Sequence, residues 1–536
     1  MRQALPWLAA AGLTLLFCLT GAVFIPYAGA QYDEVLFTDA IYAPESVEYF
    51  TTIGSSKVPV MLMTYIGTLK AALYLPVFKL LGNNHVSLRV PVLLAGAAAV
   101  FVFFVVARRL GGAKIALAVT ALLATDAVYL LTCVFDWGPV ALQHFLLAAA
   151  LYSGFRYAET KRARWLFGCN LATGLALWDK AIFLWLLAGF GVALLFCFRA
   201  ELWAIARSRR LLAAAAGGFL LGAAPFIYYN YRRPLQTFLA NTQVDESVPI
   251  SFKLLSIDKA MDGSGLFGYI VRESPEGYPE NLKFAEKVPL WLSGMLRAPR
   301  SSWQHLLLVA ALMLAPLTWF GQRRRLSVFL LLGLVFSALL MMSTRNAGAS
   351  QHHTILLWPI PQLILVLVLA EAAARWPRKG AAAALGVTLF CALSNAAILN
   401  QYLAQFISSG PTVIWTNAIR PLVNELGRYH GRLVFAADWG ISEQVQFYGA
   451  GRIGFHRPAD GTVLSLHEPL SRAYVEKSLA DPKTLFVTHT EGREAFGGVR
   501  QKLIDFAAER GYRDEILHVI KDRHGVPIFE IHEFKR

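Results

Sequence analysis

Long apolar runs separated by short polar segments fill the first 400 residues of the chain. A helix needs about 20 apolar residues to cross the hydrocarbon layer of a membrane, with about 17 to 25 observed. The pattern therefore predicts a polytopic α-helical membrane protein with about eleven transmembrane helices. The predicted spans are Leu5–Tyr27, Leu88–Ala107, Ile115–Cys133, Gly138–Phe155, Trp165–Trp178, Ala181–Phe198, Leu211–Tyr229, Trp303–Phe320, Leu326–Ser343, Thr354–Ala374 and Gly380–Leu399.

A further run, Val58–Leu81, is apolar enough to compete as a span, and the distribution of basic residues decides against it. With eleven spans, clusters holding 17 Lys and Arg residues all lie in short inner loops, as the positive-inside rule requires. A twelfth span would place these clusters outside. We therefore predict that Val58–Leu81 is a helix in the outer interface, where Lys70 and Lys79 extend to water.

The same reasoning splits Trp165–Phe198 into two short helices with an outer turn at Asp179 and Lys180. The first outer loop, residues 28–87, and the long loop, residues 230–302, then lie on one side with everything after residue 400. The Ala28–Gly29–Ala30 segment also fits the cleavage site of a secretory signal. The length of the run before it favours an uncleaved anchor.

The tail changes character, because its apolar residues occur in short pieces. The pieces "RLVFAADWG" and "TLFVTHTEG" are typical of buried strands, and "AIRPLVNELGRYH" and "REAFGGVRQKLIDFAAERGY" of amphipathic helices. The end of the chain predicts a hairpin that turns near His524. Residues 401–536 are thus predicted to form a small soluble α/β domain.

The amino-acid composition excludes several classes of function. The chain of 536 residues is 56% hydrophobic and 16% charged, outside the usual range of soluble domains. The net charge of +15 does not indicate nucleic-acid binding, because the basic residues occur in short clusters between apolar runs. The five cysteines have neither the paired spacing nor the His neighbours of a metal site.

Carboxylates concentrate where the first span ends. In "QYDEVLFTDAIY", Asp33 and Glu34 are adjacent, and they could be acids in the first turn of a helix, with Asp33 as its N-cap. Asp136 occupies the next outer turn and could either orient an acceptor, help to hold a divalent metal or cap the following helix. Asp126, inside a predicted span, should face either the interior of the helical bundle or a water-filled cavity.

These acids belong to a wider pattern of short motifs along the chain. The motifs are "YDEVLF", "KVPV" with Lys57 and Pro59, "KLLGNNHVSLRVP", "GLALWDKAIFLW" and "SQHHTILLWPIPQLIL". In these motifs the chain resembles the GT-C class of polytopic glycosyltransferases, in particular protein O-mannosyltransferases and the bacterial transferases of the lipid A aminoarabinose type. The resemblance covers roughly residues 30–400, and the chain departs from the family at Val58 and Asp179.

The resemblance implies that residues 1–400 form a GT-C-like catalytic domain. It also implies transfer of a sugar from a polyprenyl-phosphate donor to a hydroxyl of a lipid, glycan or protein at the outer face, in a bacterial inner membrane. Asp33 corresponds to the family's catalytic base, and Glu34 would position or tune it. Such a reaction needs a carboxylate to accept a proton and cations to neutralise the departing phosphate.

We nominate Lys57, Lys180, Arg345 and His353 as donor-phosphate ligands, with His352 a weaker candidate. Each also has a structural alternative, such as pairing of Lys180 with Asp179. We expect no metal or other cofactor. The loop 230–302 could be either a lid or a structural cover. The rival functions are a secondary transporter and another envelope glycan-assembly protein, but the ionisable groups lie at the outer rim and not at midplane.

Overall fold

The computed structural model describes residues 4–241, 248–279, 281–344, 347–376, 379–456 and 461–536. Every apolar run predicted as a span is helical. The helices of the first half are α1 Leu5–Phe24, α2 Tyr32–Val35, α3 Asp39–Tyr42, α4 Leu69–Leu81, α5 His85–Thr125, α6 Ala127–Val134, α7 Val140–Thr160, α8 Ala163–Asp179, α9 Leu184–Cys197, α10 Arg199–Arg207 and α11 Arg209–Arg232. Those of the second half are α12 Gln236–Asn241, α13 Ile250–Met261, α14 Phe284–Met295, α15 Gln304–Leu314, α16 Arg324–Ser343, α17 Gln351–Thr354, α18 Ile360–Arg375 and α19 Lys379–Ser408.

Within the described residues, six helices are individually long and apolar enough to cross a membrane, or seven if α9 and α10, bent by 95°, count as one span. Two features contribute to the difference between this number and eleven. The backbone at Gly112 is non-helical, with φ 79° and ψ 173°, so α5 combines two predicted spans. Other runs form helices shorter than 18 residues, such as α8 and α9. The count of eleven therefore stays a prediction.

Small residues let some helices approach closely. A Cβ atom on Gly218 would lie 2.4 Å from the carbonyl oxygen of Phe167, and one on Gly222 would lie 2.5 Å from that of Leu171. Gly218 and Gly222 are one turn apart on α11, so α8 and α11 pack backbone to backbone. This contact holds the helix that ends at Asp179 and Lys180.

Asp126 is buried in the bundle, as its position predicted. Its carboxylate accepts hydrogen bonds from Gln304 Nε2 at 2.6 Å and Trp358 Nε1 at 2.9 Å. It also caps α6, accepting from the backbone N–H of Tyr129 at 2.9 Å. These partners offset the cost of a carboxylate inside the membrane part.

The predicted interfacial helix is wrong over its first half. Residues 58–67 belong instead to a three-stranded antiparallel sheet, and only α4 is helical. Ser56–Met63 has Val58 and Val60 among its residues, and β-branched side chains suit a strand. The strands are β1 Tyr49–Ile53, β2 Ser56–Met63 and β3 Ile66–Gly67.

The tail forms the predicted α/β unit after α19. Its five-stranded sheet has the order β5-β4-β6-β8-β7, with β4 parallel to β5 and β6, and with β8 antiparallel to β6 and β7. The hairpin of β7 and β8 turns where the sequence predicted. The elements are α20 Ile419–Leu426, β4 Leu433–Ala436, α21 Ser442–Tyr448, β5 Gly454–Phe455, α22 Pro469–Ala480, β6 Thr484–His489, α23 Val499–Ala508, β7 Arg513–Lys521 and β8 Pro527–Lys535.

Candidate active site

The acidic pair lies on α2, a single helical turn that follows α1. Gln31, and not Asp33, is the N-cap: its side-chain oxygen accepts the N–H of Glu34 at 3.0 Å, and Glu34 accepts the N–H of Gln31 at 3.2 Å. This capping box fixes the turn. It directs the two acids differently, because Glu34 is 1% exposed whereas Asp33 is exposed.

Glu34 forms a two-point ion pair with Arg89 of α5. Arg89 Nε and Nη2 donate to the two carboxylate oxygens at 2.8 and 2.9 Å, and Arg89 itself is fully buried. The same guanidinium donates to the carbonyl oxygens of Ile25, Ala28 and Gly29 at 2.6 to 2.9 Å. All five N–H donors of the guanidinium are thus used to join α5 to the end of α1 and to α2.

Asp136 is also fully engaged by protein groups. Its Oδ2 accepts from Lys70 Nζ at 2.8 Å, and its Oδ1 accepts the N–H of Ala141 at 2.9 Å. Asp136 is 1% exposed and Lys70 4% exposed. The prediction that Lys70 extends to water is wrong, because the ammonium lies over the ring of Phe37, 4.5 Å from its centroid, and pairs with this carboxylate.

The Asp179–Lys180 turn packs against the β2–β3 hairpin. The N–H of Ala181 donates to the carbonyl of Tyr65 at 2.8 Å, and Ile66 forms an antiparallel bridge with Lys180. A Cβ atom on Gly67 would lie 2.0 Å from the carbonyl oxygen of Trp178, so only glycine allows this approach. The hairpin therefore holds Tyr65 beside Lys180.

Lys180 is 2% exposed, and none of the ion pairs among the described residues joins it to Asp179, which was the structural alternative to phosphate binding. Asp179 instead accepts a hydrogen bond from Gln143 Nε2 at 2.9 Å. Lys180 Nζ lies over Gly138, where an added Cβ would approach it to 2.7 Å. Burial lowers the pKa of Lys180 to about 8, and the negative charges of Asp33, Asp136 and Asp179 oppose that decrease.

Asp33 lies in the same electrostatic environment. The surrounding protein raises the pKa of its carboxyl group, while a hydrogen bond from Gln31 Nε2 at 3.4 Å and the charge of Lys180 act in the opposite direction. Burial, and then the charge of Asp33, raise the pKa of both Tyr65 and Tyr269. The Asp33 carboxylate is thus exposed and yet partly desolvated by the protein around it. We call the region that contains Asp33 and the groups coupled to it, Tyr65, Gly138, Lys180 and Tyr269, the Asp33 recess.

His352 and His353 lie next to the recess at the start of the helical segment 351–375. His352 Cδ2 is 3.9 Å from the Cβ position of Gly138, and the two imidazole centroids are 4.1 Å apart. His352 Nδ1 lies 2.6 Å from Ser350 Oγ, and His353 Nδ1 is buried without a hydrogen-bond partner. The fourth predicted phosphate ligand, Arg345, lies outside the described residues.

A cavity of about 490 Å³ adjoins these residues, with Tyr65 and His353 in its lining. The rest of its lining is mostly apolar and comes from α9, α12 and α16, including Trp185, Phe238 and Leu340. The cavity is large enough for a small ligand or for part of a lipid chain. It therefore extends the polar recess into an apolar region.

The tail domain and the long loop cover the acidic pair. Trp439, which follows β4, packs on Tyr32 with ring centroids 4.8 Å apart, and Gln444 Nε2 donates to the carbonyl of Ala30 at 2.8 Å. The loop 230–302 is joined to the tail through the buried ion pair of Arg272 and Asp522 at 2.7 Å. The tail domain and Asp33 consequently lie on the same side of the helical bundle.

The structure brings Asp33, Lys180, His352 and His353 into one region, but not Lys57. Lys57 is exposed on β2, its ammonium lies 5.2 Å from the ring centroid of Phe50, and no hydrogen bond or ion pair joins it to the described part of the recess. Sequence reasoning missed the buried partners of the acids. A signal was present, because a basic residue in a mostly apolar helix, such as Lys70 in α4, needs a partner wherever its face of the helix is buried.

Tyr269 was also missed, because it lies in a loop whose path the sequence does not define. Among the described residues, no three His, Cys, Asp or Glu side chains are grouped so that they could hold a metal ion.

Residues 69–229 match the family model described as dolichyl-phosphate-mannose-protein mannosyltransferase. The matched segment contains Lys70, Arg89, Asp136 and Lys180 and ends before the long loop. No curated protein sequence matches the chain.

Three solved structures resemble the whole architecture. ArnT from Cupriavidus metallidurans bound to undecaprenyl phosphate is 13% identical, with a TM-score of 0.59, 99% of this chain covered and 98% of that chain. Its apo state gives 14% identity and a TM-score of 0.56, with the same coverage. The oligosaccharyltransferase of Archaeoglobus fulgidus, in complex with Zn and sulfate, is 11% identical with a TM-score of 0.51, covering 89% of this chain and 68% of that chain.

At these identities the structural matches show a shared fold, and the family match is independent of them because it rests on the sequence of residues 69–229. The fold unites a bundle of apolar helices with a small mixed α/β unit over the acidic turn. Residues 69–229 therefore carry a sequence match to the protein mannosyltransferase family, and the whole chain shares the membrane-embedded fold of ArnT and, over most of its length, that of the oligosaccharyltransferase.

Proposed function

We propose that this protein transfers a sugar from a polyprenyl-phosphate donor to an acceptor hydroxyl, with Asp33 as the general base. One observation carries the assignment of the base. Asp33 is exposed to the recess, whereas the neighbouring carboxylates Glu34, Asp136 and Asp179 are each at most 1% exposed. A base must reach the proton that it abstracts.

The donor assignment rests on charge and on shape. Lys180 supplies a buried cation beside Asp33, and the 490 Å³ cavity extends from the recess between apolar helices. A polyprenyl phosphate has both parts, an anionic phosphate and an apolar chain. ArnT from Cupriavidus metallidurans has been solved with undecaprenyl phosphate, and the matched family is described by dolichyl-phosphate-mannose, so related folds accept such donors.

In the proposed reaction, the acceptor oxygen forms a bond to the anomeric carbon of the sugar while the bond from that carbon to the phosphate oxygen breaks. The acceptor proton passes to the Asp33 carboxylate, and polyprenyl phosphate leaves with the bonding electron pair. Lys180 stabilises the charge that develops on this leaving group. His353, whose buried Nδ1 has no partner, can donate to the same phosphate when that nitrogen carries the proton.

Glu34 and Asp136 are assigned positioning roles in this proposal. Both oxygens of each carboxylate are already held, those of Glu34 by Arg89 and Gln31, and those of Asp136 by Lys70 and Ala141. A divalent cation would have to displace these basic partners. We therefore propose a metal-independent reaction, and excess chelator should leave the rate unchanged; a loss that added Mg²⁺ or Mn²⁺ restores would contradict it.

The acceptor approaches under the tail domain, where Trp439 covers Tyr32 next to the base. An aromatic pair at this point suits the face of a sugar ring or an acyl chain. We propose a lipid or glycan acceptor, with a protein hydroxyl as the alternative. The reaction is assigned to the outer face of a bacterial inner membrane, because the basic clusters lie in loops at the opposite ends of the helices. Protease protection of the tail in sealed vesicles of defined orientation tests this sidedness.

The central experiment compares Asp33→Asn with Glu45→Gln. Glu45 is an exposed carboxylate of the same loop and has no role in the proposed site. Lipids and surface glycans of cells with the wild-type gene, with either variant and without the gene are compared by mass spectrometry. We expect the sugar addition to disappear without the gene and with Asp33→Asn, and to persist with Glu45→Gln.

Equal membrane levels of both variants make the comparison valid. Sugar addition at the wild-type level with Asp33→Asn would refute Asp33 as the base. No glycan or lipid difference between cells with and without the gene would refute the proposed transfer itself.

A further inference from the structure

A second cavity lies between α1, α5 and α7, remote from the recess. Its volume is about 630 Å³, and it is lined by Trp7, Phe101, Val102, Val105, Arg108, Arg109 and Tyr152. The lining combines an apolar wall with two guanidinium groups. Neither the glycosyl-transfer reaction nor the family motif gives this cavity a role.

The cavity lies at the other end of the bundle from Asp33. Arg89, which holds the acidic turn, and Arg108 are 19 residues apart on the regular part of α5 before Gly112. At about 1.5 Å per residue this separation is about 28 Å, close to the thickness of the hydrocarbon layer. The cavity therefore opens at the opposite membrane surface, at the level of lipid headgroups.

The charges around the cavity are unbalanced. Glu159 pairs with Arg109 at 3.1 Å and with Arg156 at 2.7 Å, whereas no ion pair or hydrogen bond joins Arg108 to the described residues. Arg108 lies over the ring of Trp7 at 4.6 Å, a contact that holds the guanidinium in place without neutralising its charge. The four ionisable groups keep two net positive charges, and no acidic group in the described part of the chain pairs with Arg108.

We propose that this cavity binds an anionic phospholipid. The phosphate accepts hydrogen bonds from Arg108 and Arg109, whose planar guanidinium groups suit two-point contact with phosphate oxygens. One acyl chain lies along Phe101, Val102 and Val105, which form the apolar wall. Basic pockets between helices on this side of a membrane bind anionic headgroups, and each basic residue near the surface contributes about 1 kcal/mol.

The proposal is tested by native mass spectrometry of the full-length protein, released from detergent after titration with phosphatidylglycerol or phosphatidylcholine. The variants are Arg108→Gln and, as the matched control, Arg207→Gln. Arg207 forms a similar pair with Trp203 at 4.9 Å on α10 but does not line the cavity. We expect a clear preference for phosphatidylglycerol, about fivefold weaker binding with Arg108→Gln, and no change with Arg207→Gln.

A second variant, Val105→Phe, keeps both arginines and fills the apolar wall, and it should also weaken phosphatidylglycerol binding. Equal affinity for the two lipids, or equal loss with Arg108→Gln and Arg207→Gln, would overturn the proposal. Displacement of the lipid by millimolar inorganic phosphate would overturn it too, since the site would then recognise the free anion. Stronger Arg108-dependent binding of undecaprenyl phosphate would assign the cavity to the donor lipid instead.

Discussion

The protonation of Lys180 should set the alkaline limit of activity. The charged ammonium is needed to stabilise the departing phosphate, and burial lowers its pKa to about 8. About nine tenths of the enzyme then carries the charge at pH 7 and about one tenth at pH 9. We expect kcat/KM to fall about tenfold for each pH unit above 8. On the acid side, activity should fall as Asp33 becomes protonated, at a pH above its usual range because its pKa is raised.

The variant Lys180→Gln tests whether titration of Lys180 causes the alkaline decline in activity. Loss of one preorganised charge stabiliser lowers the rate by about 100 to 1,000-fold. The remaining activity should no longer decline between pH 7 and 9, because the titrating group is absent. Lys79→Gln, at an exposed lysine in the last turn of α4, serves as the control and should retain both the rate and the wild-type profile.

The assay measures transfer by purified enzyme in detergent, with a polyprenyl-phosphate sugar and the acceptor identified by mass spectrometry, at six or more pH values. Recovery of activity on return to pH 7 excludes unfolding at high pH. An alkaline decline that persists unchanged in Lys180→Gln would refute the reasoning, and so would a variant with the wild-type rate.

Other perturbations test how the recess is held together. Arg89→Met should lower the free energy of unfolding by about 3 to 5 kcal/mol, because Glu34 would remain buried without its partner. The double variant Arg89→Met/Glu34→Gln should recover part of this loss, measured by thermal unfolding in detergent. If the double variant recovers nothing, loss of the ion pair is not the cause. Gly67→Ala should displace the β2–β3 hairpin and lower activity at least tenfold. Gly191→Ala should have little effect, because a Cβ atom added at Gly191 has no neighbouring atom within 4 Å. Equal activity of the two variants would contradict the close approach of Gly67 to Trp178. Trp439→Ala should raise the KM for the acceptor and leave donor affinity unchanged. A change confined to donor affinity would show that Trp439 contributes to the donor site and not to the acceptor site.

The apolar pattern alone was sufficient for much of the architecture. Eleven runs all proved helical, the run 165–198 divided at Asp179 and Lys180 as predicted, and the tail hairpin turned near His524. Span-length runs and strand alternation are local signals, so these elements could be predicted without knowledge of their neighbours in space. The sheet at residues 49–67 was missed because an apolar segment beside a span is equally compatible with an interfacial helix, and its strand partner is non-local.

The sequence by itself was enough to predict a polytopic α-helical membrane protein, and to single out the acidic pair and the basic residues that could neutralise a phosphate. Only the tertiary structure decided what each of these residues does. Asp33 and Glu34 are neighbours in sequence, yet one faces a cleft and the other pairs with Arg89, 55 residues away. Lys70 and Lys180 could both have reached water. Lys70 is paired with Asp136, whereas Lys180 is buried near Asp33 and forms no ion pair with the described carboxylates. Charge pairing depends on distance in space, and distance is set by how the helices pack.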